Sequence, residues 1–219
     1  MSVEKSESQF VNFLLSWFQD NKRDFPWRHE EDPYRILVAE KMLQQTTYGH
    51  VMNIYSNFII QYPSANSLSK ADEKEIEALI KPLGFHRQRS RQFSELSKTI
   101  VCEHFGKVPN DKESLLKLSG VGEYIANAVL CFAFQKDVPI VDINVRRVLG
   151  RVFSWRLKDK EIYERLSKLI QPGTFKNFNW GIIDFSSLIC SRKPKCRKCG
   201  ATSFCNNYKD KCQYLSEGF

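Results

Sequence analysis

No run of apolar residues in this 219-residue chain is long enough to span a membrane. The first residues, MSVEKSESQ, are polar and lack the apolar stretch of a secretory signal. Both absences point to an intracellular protein with no membrane partner: cytoplasm or nucleoid in a prokaryote, nucleus in a eukaryote. Disulfides are uncommon in those compartments. The chain also lacks the Gly-x-x-x-x-Gly-Lys-Ser/Thr loop, which excludes that mode of nucleotide binding. No segment alternates apolar and polar residues between turn signals, so a sheet-based fold is not expected. Low-complexity linkers and internal repeats are missing as well. Negative charge is in short supply, with 25 Asp and Glu against 33 Lys and Arg and a net charge of +8. That balance favours a polyanionic partner, nucleic acid foremost. At 42% hydrophobic and 13% aromatic residues, the chain can build real cores and is no disordered tail.

Helical periodicity dominates what is present. Phe10, Phe13, Leu14, Trp17 and Phe18 fall on one stripe, and Val51, Ile54, Tyr55, Phe58, Ile59 and Tyr62 repeat the pattern. Asp32 before Pro33 reads as an N-cap followed by a first-turn proline. Asp72 is placed to cap a helix over 73–80, and Asp111 one over 112–118. Further helices are expected at 86–105, 122–134, 144–153, 160–170 and 178–189. The predicted fold class is all-α, and the length suits one large domain or two small ones.

Between two of these helices lies Ser119-Gly120-Val121-Gly122. Glycine tolerates positive φ and lets a backbone approach a ligand closely. The unpaired amides opening the second helix, backed by its dipole, suit a phosphate. A tight helix–helix turn with no ligand is the simpler alternative. Lys117 before the turn, and Arg146, Arg147 and Arg151 after it, weigh towards phosphate. Val121 would staple the two helices. Twenty residues beyond Gly122, Asp142 stands in the apolar stretch PIVDIN, where it is also a candidate N-cap.

Cysteine is concentrated at one end. Cys102 and Cys131, alone in helical runs, read as ordinary buried cysteines. The other five lie between 190 and 212. Cys190 and Cys196 are separated by five residues, Cys196 and Cys199 by two, and Cys199 and Cys205 by five. Four thiolates so spaced can enclose a [4Fe–4S] cube or one Zn2+. Zinc ribbons more often use two Cys-x-x-Cys knuckles, and this array has one. Cys212 is a spare. The segment RKPKCRK carries five basic residues, Lys195 among them, suited to phosphate contacts.

LSGVGEYIANAVLCFAF followed by VDINVRR resembles the hairpin and catalytic-aspartate signature of the helix-hairpin-helix DNA glycosylases of base excision repair that include endonuclease III. FPWRHEEDPYRILVAEKMLQQTT and the cysteine array are similar to the same superfamily, so the likeness runs from about Phe10 to Cys205. It implies two helical lobes with the active site in the cleft between them. One, residues 30–135, would be a six-helix barrel carrying the hairpin. The other, residues 1–29 with 136–219, would hold the iron–sulfur cluster. The implied partner is double-stranded DNA with one mismatched nucleotide flipped out, bound by a monomer. The resemblance favours [4Fe–4S] over zinc at Cys190, Cys196, Cys199 and Cys205, although the first interval is one residue shorter than the family's usual spacing.

Asp142 matches the catalytic aspartate, whose carboxylate stabilises the oxocarbenium-like sugar or attacks it. Glu40 matches a glutamate that protonates or orients the departing base. Tyr124 stands where bifunctional relatives carry a lysine that forms a Schiff base with the sugar. A phenol cannot do so, which implies a monofunctional enzyme that leaves an abasic site. Gly120, Val121, Gly122, Arg146 and Lys195 are candidate DNA contacts, and Gln44 and Phe85 are candidates to fill the hole left by the flipped nucleotide. Two bases fit. MLQQTT leans towards adenine opposite guanine or 8-oxoguanine. TTYGHVMNIYSNFIIQYP, the lack of paired tyrosines in LGFHRQRSRQF and the short stretch after the cysteines lean towards thymine or uracil opposite guanine, the expected substrate. A non-catalytic DNA-binding module leaves Asp142 and Glu40 unexplained, and a zinc-dependent regulator would make the cysteines a recognition element.

Overall fold

Aspartates open helices where the sequence predicts. Asp32 accepts from the Tyr34 amide at 2.8 Å, Asp72 from Lys74 at 2.7 Å and Asp111 from Ser114 at 2.8 Å. Each satisfies an amide that has no partner inside its own helix. In the computed structural model, which describes residues 3–209, eleven α-helices and four short 3-10 turns account for the regular structure. No strand occurs among the described residues. The chain is all-α.

The helices fall into two compact units. One spans Asp24–Lys136; the other joins the chain up to Arg23 with the chain from Asp137 onward. The Asp24–Lys136 unit contains α2 (Pro33–Leu43), α3 (Tyr48–Gln61), α4 (Ala65–Ser69), α5 (Glu73–Ile80), α6 (His86–His104), α7 (Lys112–Lys117) and α8 (Glu123–Phe132). Here α4 and α5 pack on α6, and α2 packs on α3 and α8. Leu37, Met42, Phe58, Leu68, Ile76, Phe93 and Leu96 form the buried centre. Burial of each such side chain contributes about 1.5–3 kcal/mol. The predicted stripe on α3 is inward: Val51, Ile54, Tyr55, Phe58 and Ile59 are all buried.

In the second unit, α1 (Val3–Asn21) lies against α11 (Phe175–Leu188), and α9 (Ile143–Phe153) packs on the same helix. Helix α10 (Asp159–Leu169) covers part of α1. The α1 stripe becomes an aromatic cluster: Phe10 meets Phe153 and Phe185 edge-on, and Trp17 meets Phe185 at 5.3 Å. Gly181 admits this approach, since a Cβ there would lie 3.2 Å from Phe18. Two buried carboxylates fasten the unit. Asp184 accepts from both the backbone amide and Nε of Arg23, at 3.0 and 2.7 Å. Glu7 takes Arg165 at 2.6 Å and the Trp155 indole at 3.2 Å.

One cysteine departs from expectation. Cys131 is buried, but Cys102 is exposed. The inward face of α6 runs through Phe93, Leu96, Ser97 and Ile100, and Cys102 falls off it. Cys212 lies outside the described residues.

Candidate active site and metal centre

The α7–α8 hairpin is built around one unusual backbone position. Gly120 has φ +69°, and a Cβ there would collide with Lys41 Nζ and the Gln92 side chain. Both conformation and space therefore demand glycine. Gly122 differs: its backbone is extended, and a Cβ would meet nothing within 4 Å. Room on that side is what the approach of an external backbone requires. Gly122 is the N-cap of α8 with no side-chain cap, and the first helical amides follow it. Val121 is buried at 7% exposure, and its amide bonds to Leu118 O at 3.0 Å within the turn. Tyr124 lies half-buried in the first turn of α8. Glu123 beside it is offset by Lys112 at 2.5 Å.

Two cations hidden in the same unit organise the surrounding loops, and sequence reasoning missed both. Lys41 is 1% exposed, and its Nζ donates to Gln92 Oε1 at 3.0 Å, Ser119 O at 3.2 Å and Gly120 O at 3.1 Å. Burial, helped by the charge of Arg89, pushes its pKa down to about 8. Arg89 donates to Gly84 O, Lys41 O, Gln44 O and Thr46 Oγ1. It thus ties the end of α2 to the turn before α6. The two candidate wedges sit on those tied segments. Gln44 is the C-cap of α2, and its side-chain amide reaches Gly120 O at 3.4 Å. Phe85, in the left-handed region at φ +49°, is 65% exposed rather than tucked inward. Glu40, one residue before Lys41, is 5% exposed.

In the other unit, Asp142 is the N-cap of α9. Its Oδ1 accepts from the Asn144 and Val145 amides at 2.8 and 2.7 Å, and its Oδ2 from the Asn144 side chain at 2.7 Å. Capping and a chemical role are compatible, because the bonds fix the carboxylate without occupying every lone pair. Asn144 Oδ1 in turn accepts from Arg147 at 2.8 Å, and Arg147 Nε donates to Cys190 O at 3.0 Å. A continuous hydrogen-bonded path links Asp142 to the cysteine segment. Arg146 points elsewhere and pairs with Asp159.

The four predicted cysteines converge. Cys190, Cys196, Cys199 and Cys205 line one small cavity, together with Arg151 and Phe185. Helix α11 ends at Leu188 and the chain turns back at once, which brings Cys190 beside the other three cysteines. Cys190 N bonds to Phe185 O at 2.8 Å and Lys195 N to Ile189 O at 2.9 Å. Arg151 touches two of the cysteines: NH1 lies 3.5 Å from Cys190 Sγ, and its carbonyl accepts from Cys205 Sγ at 3.5 Å. A single zinc needs its thiolates about 2.3 Å from one centre. Four thiols lining one cavity form a donor set that suits either an iron–sulfur centre or one zinc. Burial and the neighbouring Cys190 and Cys205 raise the Cys199 pKa, a bias that bound metal would reverse. Lys195, Arg197 and Lys198 are exposed on this loop.

Comparison with known proteins agrees with this geometry. Residues 38–172 match the HhH-GPD superfamily of base excision DNA repair proteins. A thymine/uracil-DNA glycosylase of Methanothermobacter thermautotrophicus is 39% identical over 217 residues, covering 96% of this chain and 98% of its own. An adenine DNA glycosylase of Mycobacterium tuberculosis is 34% identical over 194 residues, covering 85% of this chain and 64% of its own. The structure of a thermostable thymine-DNA glycosylase superposes with a TM-score of 0.91 at 38% identity, over 96% of this chain and all of that one. The chain belongs to the HhH-GPD superfamily of base excision DNA repair proteins.

Proposed function

We propose that this protein is a monofunctional DNA glycosylase that removes thymine or uracil opposite guanine from duplex DNA. The observation that carries the reading is Asp142, a carboxylate fixed by three hydrogen bonds in a chain nearly collinear with thymine/uracil-DNA glycosylases. In the reaction, the C1′–N bond breaks and its electrons leave with the base. Water adds to C1′, and a proton reaches the base. Asp142 opposes the positive charge that develops on the sugar, where a preorganised carboxylate acts most strongly. Glu40, withdrawn from water, orients or protonates the departing base. Tyr124 supplies no amine, so no covalent sugar adduct forms and the strand stays intact.

In this reading the amides after Gly122 hold a backbone phosphate, Gln44 and Phe85 occupy the space of the flipped nucleotide, and Lys195 reaches a phosphate from the cysteine loop. Arg146, engaged by Asp159, contributes to DNA only if that pair opens. Cys190, Cys196, Cys199 and Cys205 would hold a [4Fe–4S] cluster, whose role here is to frame the basic loop. The protein acts inside the cell and as a monomer.

The test is a set of duplexes carrying one T·G, U·G, A·G or A·8-oxoguanine pair. Base release from T·G and U·G, with strand cleavage only after alkali, is the expected result. Release of adenine alone would move the protein to the adenine branch. Binding without any release would make it a non-catalytic module.

A further inference from the structure

We propose that Lys41 is a positioning residue for DNA: its buried ammonium clamps the Ser119 and Gly120 carbonyls inward, orienting the hairpin for phosphate and placing a positive charge behind it. The inference rests on the phosphate-binding reading of the hairpin. Three observations carry it. First, the three ammonium donors are all used, by Gln92 Oε1, Ser119 O and Gly120 O, so the geometry is fully specified. Second, in a trans peptide the N–H lies opposite the C=O. Holding Ser119 O against Lys41 therefore turns the Gly120 N–H away from it. Third, Gly120 has no Cβ because Lys41 and Gln92 occupy the place it would take. The hairpin tip is moulded onto this side chain.

All three acceptors are neutral. The charged group that acts on the ammonium is Arg89 from α6, and Glu40 precedes Lys41 in sequence on α2. Glu95, also on α6, takes the Ser119 hydroxyl at 2.7 Å. No titratable residue lies between Ser119 and Gly122, and Glu123 at the start of α8 is held by Lys112. A methionine could fill the same space without desolvating a charge. The ammonium becomes favourable when an anion reaches the outer side of the hairpin. Binding of phosphate should then raise the lysine pKa from its depressed position near 8, so that DNA binding takes up a proton in mildly alkaline solution.

The experiment measures affinity for an undamaged duplex by fluorescence anisotropy, across salt and from about pH 6.5 to 9.5, a window chosen to bracket the shifted lysine. Wild-type affinity should fall as pH rises past the lysine pKa. Lys41→Met should bind about tenfold more weakly at neutral pH, with a flatter pH profile. The slope of log K against log salt should stay unchanged, because Lys41 touches no phosphate itself. Lys41→Gln, which keeps a donor but no charge, should fall between the two in affinity and share the flat profile. This variant also serves if the methionine protein fails to fold. Wild-type affinity and pH profile in both variants would overturn the proposal. A salt slope reduced by about one would overturn it too, as the mark of a direct phosphate contact. If the wild-type protein does not bind duplex DNA at all, the glycosylase reading itself fails, a separate and recognisable outcome.

Discussion

The side-chain amide of Asn144 donates to Asp142 Oδ2 at 2.7 Å, while its carbonyl receives Arg147 at 2.8 Å. Asn144 thus sets the rotation of the carboxylate and is itself set by a guanidinium anchored on Cys190 O. Asp142→Asn should bind a T·G duplex nearly as well as wild type but release base far more slowly, since shape is kept and charge lost. Asn144→Ala keeps the charge and the two backbone donors to Oδ1 but loses the bond that fixes Oδ2. A displacement of about 1 Å at a reacting centre costs on the order of 100-fold, so single-turnover excision should drop by 10- to 100-fold with binding retained. Undiminished excision by Asp142→Asn would remove that residue from the mechanism.

Tyr124 offers a gain-of-function test. Lysine at this place in the first turn of α8 puts a primary amine where bifunctional relatives have one, and a partly buried site lowers its pKa. Tyr124→Lys is expected to cut the strand without alkali and to be trapped on DNA by borohydride, with slower base release. Efficient trapping of the wild type would show that another amine is the nucleophile. If both proteins release base and neither is trapped, Tyr124 does not face the sugar.

The proposed [4Fe–4S] cluster predicts colour. Purified under low oxygen, the protein should be brown with about four irons per chain. Cys196→Ser or Cys199→Ser should lose the iron and most DNA affinity, because the exposed basic side chains between and beside these cysteines lose their frame. One zinc and no iron would refute the cluster assignment.

Burying Lys41 should also be visible in folding stability. Its pKa is about 8 in the folded chain against the ordinary 10.5. Between those values the unfolded chain binds more protons, so stability rises with pH across that window. Relative to Lys41→Met, the wild type should therefore gain stability from pH 8 to 10.5, by up to about 3 kcal/mol. Urea unfolding of both proteins at pH 7.5 and 10 measures the difference. A constant gap would show that the lysine is not held at a depressed pKa.

Much of this was legible in the sequence where the signal is local. Helices α5 and α7 begin where Asp72 and Asp111 predict, because a cap and its amide lie within three residues. Helix α11 starts at Phe175, earlier than the predicted 178, since Thr174 offers no side-chain cap to mark it. Helix α4 was not anticipated, although Ser64 and Ser67 form a capping box. The four cysteines declared their shared site by spacing alone. Lys41 and Arg89 gave no such sign: a lysine in a helical run reads as solvated, and its acceptors lie 51, 78 and 79 residues further along the chain. Arg146 looked available for DNA because nothing nearby in sequence reveals Asp159 as its partner.

The union of α1 with α11 has a consequence for biosynthesis. Arg23 and Asp184, the pair that closes that union, are separated by 161 positions. The ribosome makes α1 long before α11, whose surface covers Phe10, Leu14 and Phe18. The Asp24–Lys136 unit has all its internal partners as soon as Lys136 emerges, whereas the α1 stripe must wait for roughly another fifty residues, several seconds at ordinary elongation rates. During that interval an aromatic-rich amphipathic helix is unshielded on the nascent chain. Newly made protein should therefore depend on chaperones until α11 is complete. Polar substitutions on the α1 stripe should lower yield in cells through slower completion of this late-closing unit, even where glycosylase chemistry per folded molecule is unchanged.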